Sequence, residues 1–131
     1  MTDAELAQAL KAAAFLEGDF TLRSGRKSKY YLDKYLFETQ PALLRALGER
    51  FARHVTPAID RVAGAELGAI ALAAATSLET GKPFVIVRNA KKAGYGTGKL
   101  IEGRLERGER VLLVEDIATS GGQAVEALQT L

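Results

Sequence analysis

Beyond Arg61 the chain repeatedly sets a short, almost wholly apolar run before a turn and a helix-forming stretch, and that alternation leaves few folds open. The order is a short strand near Val62, the turn GAELG, an alanine-rich helix to Thr80 closed by Gly81, and a strand over residues 84–87. A glycine-rich interval, a strand over residues 111–114 and a helix starting near Gly122 follow. A strand with one wet face alternates apolar and polar residues; these runs do not, so both faces need cover. The expectation is an α/β fold, a parallel sheet flanked by helices. At 131 residues, with 47% hydrophobic and 26% charged content, the chain can bury the core of one domain.

The first forty residues read differently. Thr2 or Asp3 can cap a helix over residues 3–16, with Leu6, Leu10, Ala13 and Ala14 on one face and Gly18 as its stop. Two short β-type runs, 20–22 and 30–32, flank the turn residues Ser24 and Gly25 and predict a small separate hairpin. A second helix starts near Pro41, with Leu43, Leu44, Leu47, Phe51 and Val55 at helical spacing. The expected organisation is a single domain over 1–131, its first 40 residues a helix and hairpin and residues 41–131 the core. About three parallel strands is few for this class, and the last helix reaches Leu131 after barely two turns. We therefore expect that the natural chain continues and that one or more C-terminal strands are missing here.

Charge narrows the function. Eighteen Lys and Arg against sixteen Asp and Glu leave a net +2, too little for bulk nucleic-acid binding, so any cationic role is local. The absence of cysteine excludes disulfides and thiolate metal sites. The apolar runs are too short to span a bilayer, and the acidic, amphipathic start MTDAELAQAL differs from a signal peptide. A cytoplasmic protein with no membrane partner is expected.

The run VLLV is followed at once by EDIATSGG, two carboxylates and then hydroxyls and glycines. Ligands of open parallel sheets sit beyond the carboxyl ends of the strands, where Glu115 and Asp116 would stand. The residues after them lead into a helix whose first amides and dipole favour an anion; Gly121 and Gly122 allow close backbone approach, and Thr119 and Ser120 add hydroxyl donors. A phosphate monoester suits that nest. The carboxylates would repel it, so they accept hydrogen bonds from sugar hydroxyls or hold a cation. A sugar phosphate satisfies both halves. Taken alone, the pair is equally compatible with a solvated strand edge and a capped helix start.

The interval VRNAKKAGYGTGKLIEG, residues 87–103, changes that balance. Arg88, Lys91, Lys92 and Lys99 occur with no acid before Glu102, among Gly94, Gly96 and Gly98. A glycine-rich cationic loop can close over a polyanion, neutralise a leaving group and exclude water. Such a run is usually a solvated surface loop; beside a phosphate nest in the same α/β unit, the functional reading is preferred.

These residues resemble a known family. VLLVEDIATSGG resembles the phosphoribosyl diphosphate signature of the type I phosphoribosyltransferases, and together with FTLRSGRKSKYYLD and VRNAKKAGYGTGKLIEG, in that order, it is similar to the orotate phosphoribosyltransferase family. The resemblance implies a parallel sheet beneath a small N-terminal hood hairpin. It also implies transfer of phosphoribosyl from 5-phosphoribosyl 1-diphosphate (PRPP) to orotate with Mg²⁺, in pyrimidine synthesis, by a homodimer sharing loop 89–99 across its interface. Asp116, Lys91 and Lys92 would be catalytic. Glu115 and Asp116 would hold the ribose hydroxyls, Ala118, Thr119, Ser120, Gly121, Gly122 and Gln123 would cradle the 5′-phosphate, and Ile117 would be among the PRPP-binding residues. Arg88, one lysine of the 91–92 pair and Tyr95 would meet the diphosphate; Thr119, Arg23, Tyr31 and Leu32 would lie at the orotate. No protein metal ligand is implied, since Mg²⁺ would bind mainly diphosphate and ribose oxygens.

The sequence departs from the family pattern at three places. KKAGYG has one residue more than usual between Lys92 and Tyr95, Leu67 stands where some members have lysine, and the family's later strands have no counterpart before Leu131. The competing functions are transfer to another base, or a non-catalytic nucleotide-binding regulator on the same fold; a regulator has no need of Lys91 or Lys92. His54, the sole histidine, reads as a helix-end surface residue, and of Tyr30 and Tyr31 one is expected to pack and the other to face a ligand or solvent.

Overall fold

Thr2 opens α1 (Asp3–Ala14) through a capping box: its Oγ1 accepts the Glu5 N–H at 3.1 Å, and its own N–H donates to Glu5 Oε2 at 2.8 Å. The helix stops at Ala14, short of the expected 3–16, because Phe15 is already extended and begins β1 (Phe15–Thr21). Gly18 therefore does not end the helix; it lies at the register shift between Glu17 and Phe20. The cause is cross-strand pairing. Phe15 stacks on Tyr30 and Phe20 on Tyr31, each with centroids 5.6 Å apart, and the first contact is available only if Phe15 joins the sheet. β2 (Lys27–Leu32) runs antiparallel to β1, so the hood hairpin is present, with both strands longer than expected. The short helix α2 (Tyr35–Glu38) was not anticipated. Helix α3 (Pro41–Ala52) ends before Val55, whose N–H turns back to Ala52 O.

This computed structural model describes residues 1–89 and 98–131. The chain divides into two compact units, Met1–Ala46 and Leu47–Leu131, with α3 running from one into the other. Among the described residues no helix is long and apolar enough to cross a membrane.

The second unit is built on β3 (Arg61–Ala65), α4 (Gly68–Thr80), β4 (Phe84–Val87), β5 (Ile101–Glu102), β6 (Val111–Val114) and α5 (Gly122–Thr130). The strand order is β5-β4-β3-β6, with β3 parallel to both β4 and β6. The parallel core is as expected; β5, antiparallel to β4, makes the sheet four-stranded and mixed among the described residues.

Alternate residues separate the two faces, as the pleat requires. Ala63, Val85 and Val87 pack with Ala127 of α5, joined by Val111 and Leu113. On the other face Gly64 meets α4 so closely that a Cβ there would lie 2.5 Å from Ala69 O and 2.9 Å from Ala73 Cβ. The alanines of α4 and the glycine of β3 thus let helix and strand approach. Gly81, at φ +72°, closes α4 by donating to Ser77 O at 2.9 Å.

At the opposite end of the sheet from the strands' carboxyl termini, Arg61 Nε lies 3.2 and 3.1 Å from the two carboxylate oxygens of Glu109. Asp60 and Arg110 exchange backbone N–H donations at 2.8 Å, to Arg110 O and Asp60 Oδ2 respectively. These contacts fix where β3 and β6 begin.

Candidate functional site

Because β3, β4 and β6 are parallel, the residues that follow them share one edge of the sheet. The register sets Ala65 opposite Val87 and Gly64 opposite Val114, so Glu66 and Arg88 leave the sheet level with each other while Glu115 falls one residue earlier, opposite Ala65. This edge brings together residues 27 positions apart in sequence, Arg88 and Glu115.

Glu115 and Asp116 are half-buried there, and the Asp116 N–H donates to Glu115 Oε1 at 3.0 Å. Glu115 Oε2 and Asp116 Oδ2 are enclosed within the protein. Enclosure of one oxygen of each carboxylate fixes how the two groups stand at the strand end.

Past them the chain is exposed through Ile117, Ala118, Thr119 and Ser120, and at Gly121 it turns left-handed, φ +81°, to start α5. Glycine is needed for that turn, since other residues are strained at such φ. The α5 start has no side-chain cap on Gly121 and no acid in its first turn. Ser120 Oγ accepts the Gly122 N–H at 3.3 Å, which gathers hydroxyl and amides at the helix start. Gly122 and Gln123 form the exposed first turn. The arrangement suits an anion at the positive end of the helix, with acceptors next to it for hydroxyl groups.

Arg88 leaves β4 partly buried, its N–H donating to Leu100 O at 2.7 Å. The next residue, Asn89, donates its N–H to Glu66 Oε1 at 2.7 Å. Glu66, Arg88, Asn89, Gln123 and Glu126 line one cleft at this edge. Sequence reasoning missed Glu66; its only signal was an acid directly after a buried strand, which reads equally well as a solvated end. Leu67, at the family's lysine position, is 70% exposed.

The remaining expected residues divide in two groups. Lys91, Lys92 and Tyr95 lie outside the described residues. Arg23, Tyr31 and Leu32 belong to the first unit: Arg23 sits in the β1–β2 connection, while Tyr31 and Leu32 pair with Leu16 and Phe15 and are exposed. Tyr30 and Tyr31 are both exposed and each stacks on one phenylalanine, so the expected split between one packed and one outward tyrosine does not hold within this unit. His54 is exposed just past α3.

The fold is that of a phosphoribosyltransferase. The chain superposes on the crystal structure of Mycobacterium tuberculosis H37Rv orotate phosphoribosyltransferase in complex with Fe(III) dicitrate with a TM-score of 0.78 and 32% identity, covering 97% of this chain and 74% of that one. No family model matches the sequence. It is 51% identical over 130 residues to orotate phosphoribosyltransferase of Methanocella arvoryzae, covering 98% of this chain and 74% of that protein. With the enzyme of the same name from Natronomonas pharaonis it shares 48% over 132 residues, 100% of this chain and 75% of that one. The chain belongs to the orotate phosphoribosyltransferase family.

Proposed function

We propose that this chain transfers the phosphoribosyl group of PRPP to orotate, giving orotidine 5′-monophosphate and diphosphate in de novo pyrimidine (UMP) biosynthesis. The observation that carries this reading is the succession, at one sheet edge, of the Glu115–Asp116 pair and the uncapped α5 start at Gly121. The nest formed by residues 117–123 takes the 5′-phosphate, and the adjacent carboxylates take the 2′- and 3′-hydroxyls of the attached ribose.

Loss of diphosphate builds positive charge on the ribose and negative charge on the leaving oxygens. Asp116 and Glu115 below the sugar stabilise the first; Arg88, with Lys91 and Lys92 and with Tyr95 alongside, stabilises the second. The ring nitrogen of orotate attacks directly once it is held in line, with Thr119 beside it. No covalent intermediate on the protein is needed.

Mg²⁺ fits this donor chemistry. Two neighbouring carboxylates, Glu115 and Asp116, are hard oxygen groups of the kind this ion prefers. The ion would bind chiefly diphosphate and ribose oxygens, where it neutralises charge on the leaving group. The active form is a cytoplasmic homodimer in which loop 89–99 of each subunit reaches its neighbour's site.

The test is diphosphate release from PRPP and Mg²⁺ with orotate, compared with uracil, hypoxanthine and adenine. Release with orotate alone is expected. Faster release with another base would give the chain to a different phosphoribosyltransferase, and binding of PRPP without release under any base would favour a regulator.

A further inference from the structure

The hydrogen bonding of β3 alternates between its two neighbours. Arg61 N–H turns to β6, donating to Arg110 O at 3.2 Å, while Val62 N–H donates toward β4, to Pro83 O at 3.0 Å. Four residues on, Glu66 N–H donates to Val87 O at 2.9 Å, the same β4-facing rung. In a parallel ladder the residue that donates to one carbonyl accepts, through its own carbonyl, the N–H two positions further along the neighbouring strand. Since Ala65 stands opposite Val87, the register assigns the Asn89 N–H to the Glu66 main-chain carbonyl. It is Glu66 Oε1 that accepts it, at 2.7 Å.

We propose that the Glu66 carboxylate serves as the last rung of the β3–β4 ladder and is thereby a positioning residue for Arg88. The regular pairing of β3 ends at Ala65, so its backbone is leaving the sheet where β4 still needs an acceptor. The side chain supplies one. On the other side Arg88 N–H is held by Leu100 O, so the Val87 carbonyl, the Arg88 amide and the Asn89 amide are fixed in succession from two directions. The backbone that carries the guanidinium is thus pinned at the root of the cationic interval.

A bare carboxylate beside Arg88 would oppose a polyanion bound there. One engaged with a backbone N–H serves instead by holding the cation's backbone, so Glu66 acts through Arg88 and not on the substrate. This inference rests on the proposed contact between Arg88 and diphosphate, and it deepens that reading.

The test compares Glu66→Gln, which keeps an acceptor oxygen at the same reach, with Glu66→Leu, which keeps bulk but accepts nothing; Glu66→Ala repeats the loss without the branched side chain. Two readouts are taken on the full chain. Backbone amide exchange at Asn89 is expected to quicken about ten-fold in the Leu and Ala variants and to stay near the parent rate in Gln, as loss of one rung predicts. The KM for PRPP is expected to rise about ten-fold in Leu and Ala, equivalent to about 1.4 kcal/mol, with the KM for orotate and the melting temperature unchanged and Gln restoring the parent value. Unchanged Asn89 exchange in the Leu variant, or equal losses in Gln and Leu, would overturn the proposal. If the parent itself releases no diphosphate, the proposed function fails while the exchange measurement still decides the role of Glu66.

Discussion

The backbone N–H of Asp116 donates to Oε1 of Glu115 at 3.0 Å, so the position of one carboxylate is set by the residue that carries the other. Removing charge from Asp116 leaves this bond intact, since the bond uses its backbone. Asp116→Asn is therefore expected to fold as the parent does, with a melting temperature within about 2 °C. Turnover is expected to fall about 100-fold or more through lost stabilisation of the developing ribose cation. Steady-state diphosphate release and a thermal melt on the same preparation check both.

Gly121 supplies the left-handed turn at the α5 start, and a Cβ there meets nothing within 4 Å. Its substitution thus acts through backbone strain alone, about 1–2 kcal/mol. In free Gly121→Ala that strain is expected to relax by shifting the turn, and re-forming the turn on binding then weakens ribose 5-phosphate by about 5- to 30-fold, the conversion of that strain. Titration calorimetry measures it.

Gly64 acts in the core. A methyl group there would meet the Ala69 carbonyl at 2.5 Å, a backbone atom that cannot swing aside. Gly64→Ala is expected to destabilise the fold by about 1–3 kcal/mol. A lower urea midpoint with an unchanged slope is the expected signature.

The Glu106 N–H, donating to Glu109 Oε1 at 2.6 Å, and the Arg61 guanidinium beside it hold the Glu109 carboxyl below its ordinary value. A depressed folded pKa stabilises the fold above the unfolded value, near about 4.3, and this contribution is lost as pH falls through the folded one. Glu109→Gln is therefore expected to melt below the parent at pH 7, with the difference shrinking as pH drops through 4. Melting curves across pH 3–7 check the sign.

The strands at residues 84–87 and 111–114 were readable because each is a continuous apolar run bounded by turn residues, and Gly81 and Gly122 marked helix ends for steric and dipolar reasons. The α1–β1 boundary was not, because Phe15 and Leu16 continue the helical apolar spacing; their preference for the sheet comes from Tyr30 and Tyr31, fifteen residues away on β2. Strand β5 has only two residues and no period to detect. At the site, Glu115 and Asp116 were legible as a local motif. Glu66 was not, because its role depends on the register of β3 against β4, which no local pattern carries.

The central claim is that the α5 start grips a phosphate while Glu115 and Asp116 hold the attached pentose. Ribose 5-phosphate with Mg²⁺, titrated into the chain and followed by backbone amide shifts, tests it most directly. Saturable binding at millimolar strength or better, with the largest shifts at residues 115–123 and loss of that binding in Gly121→Ala combined with Asp116→Asn, is the predicted result. No binding at millimolar ligand, or shifts centred away from those residues, would contradict it.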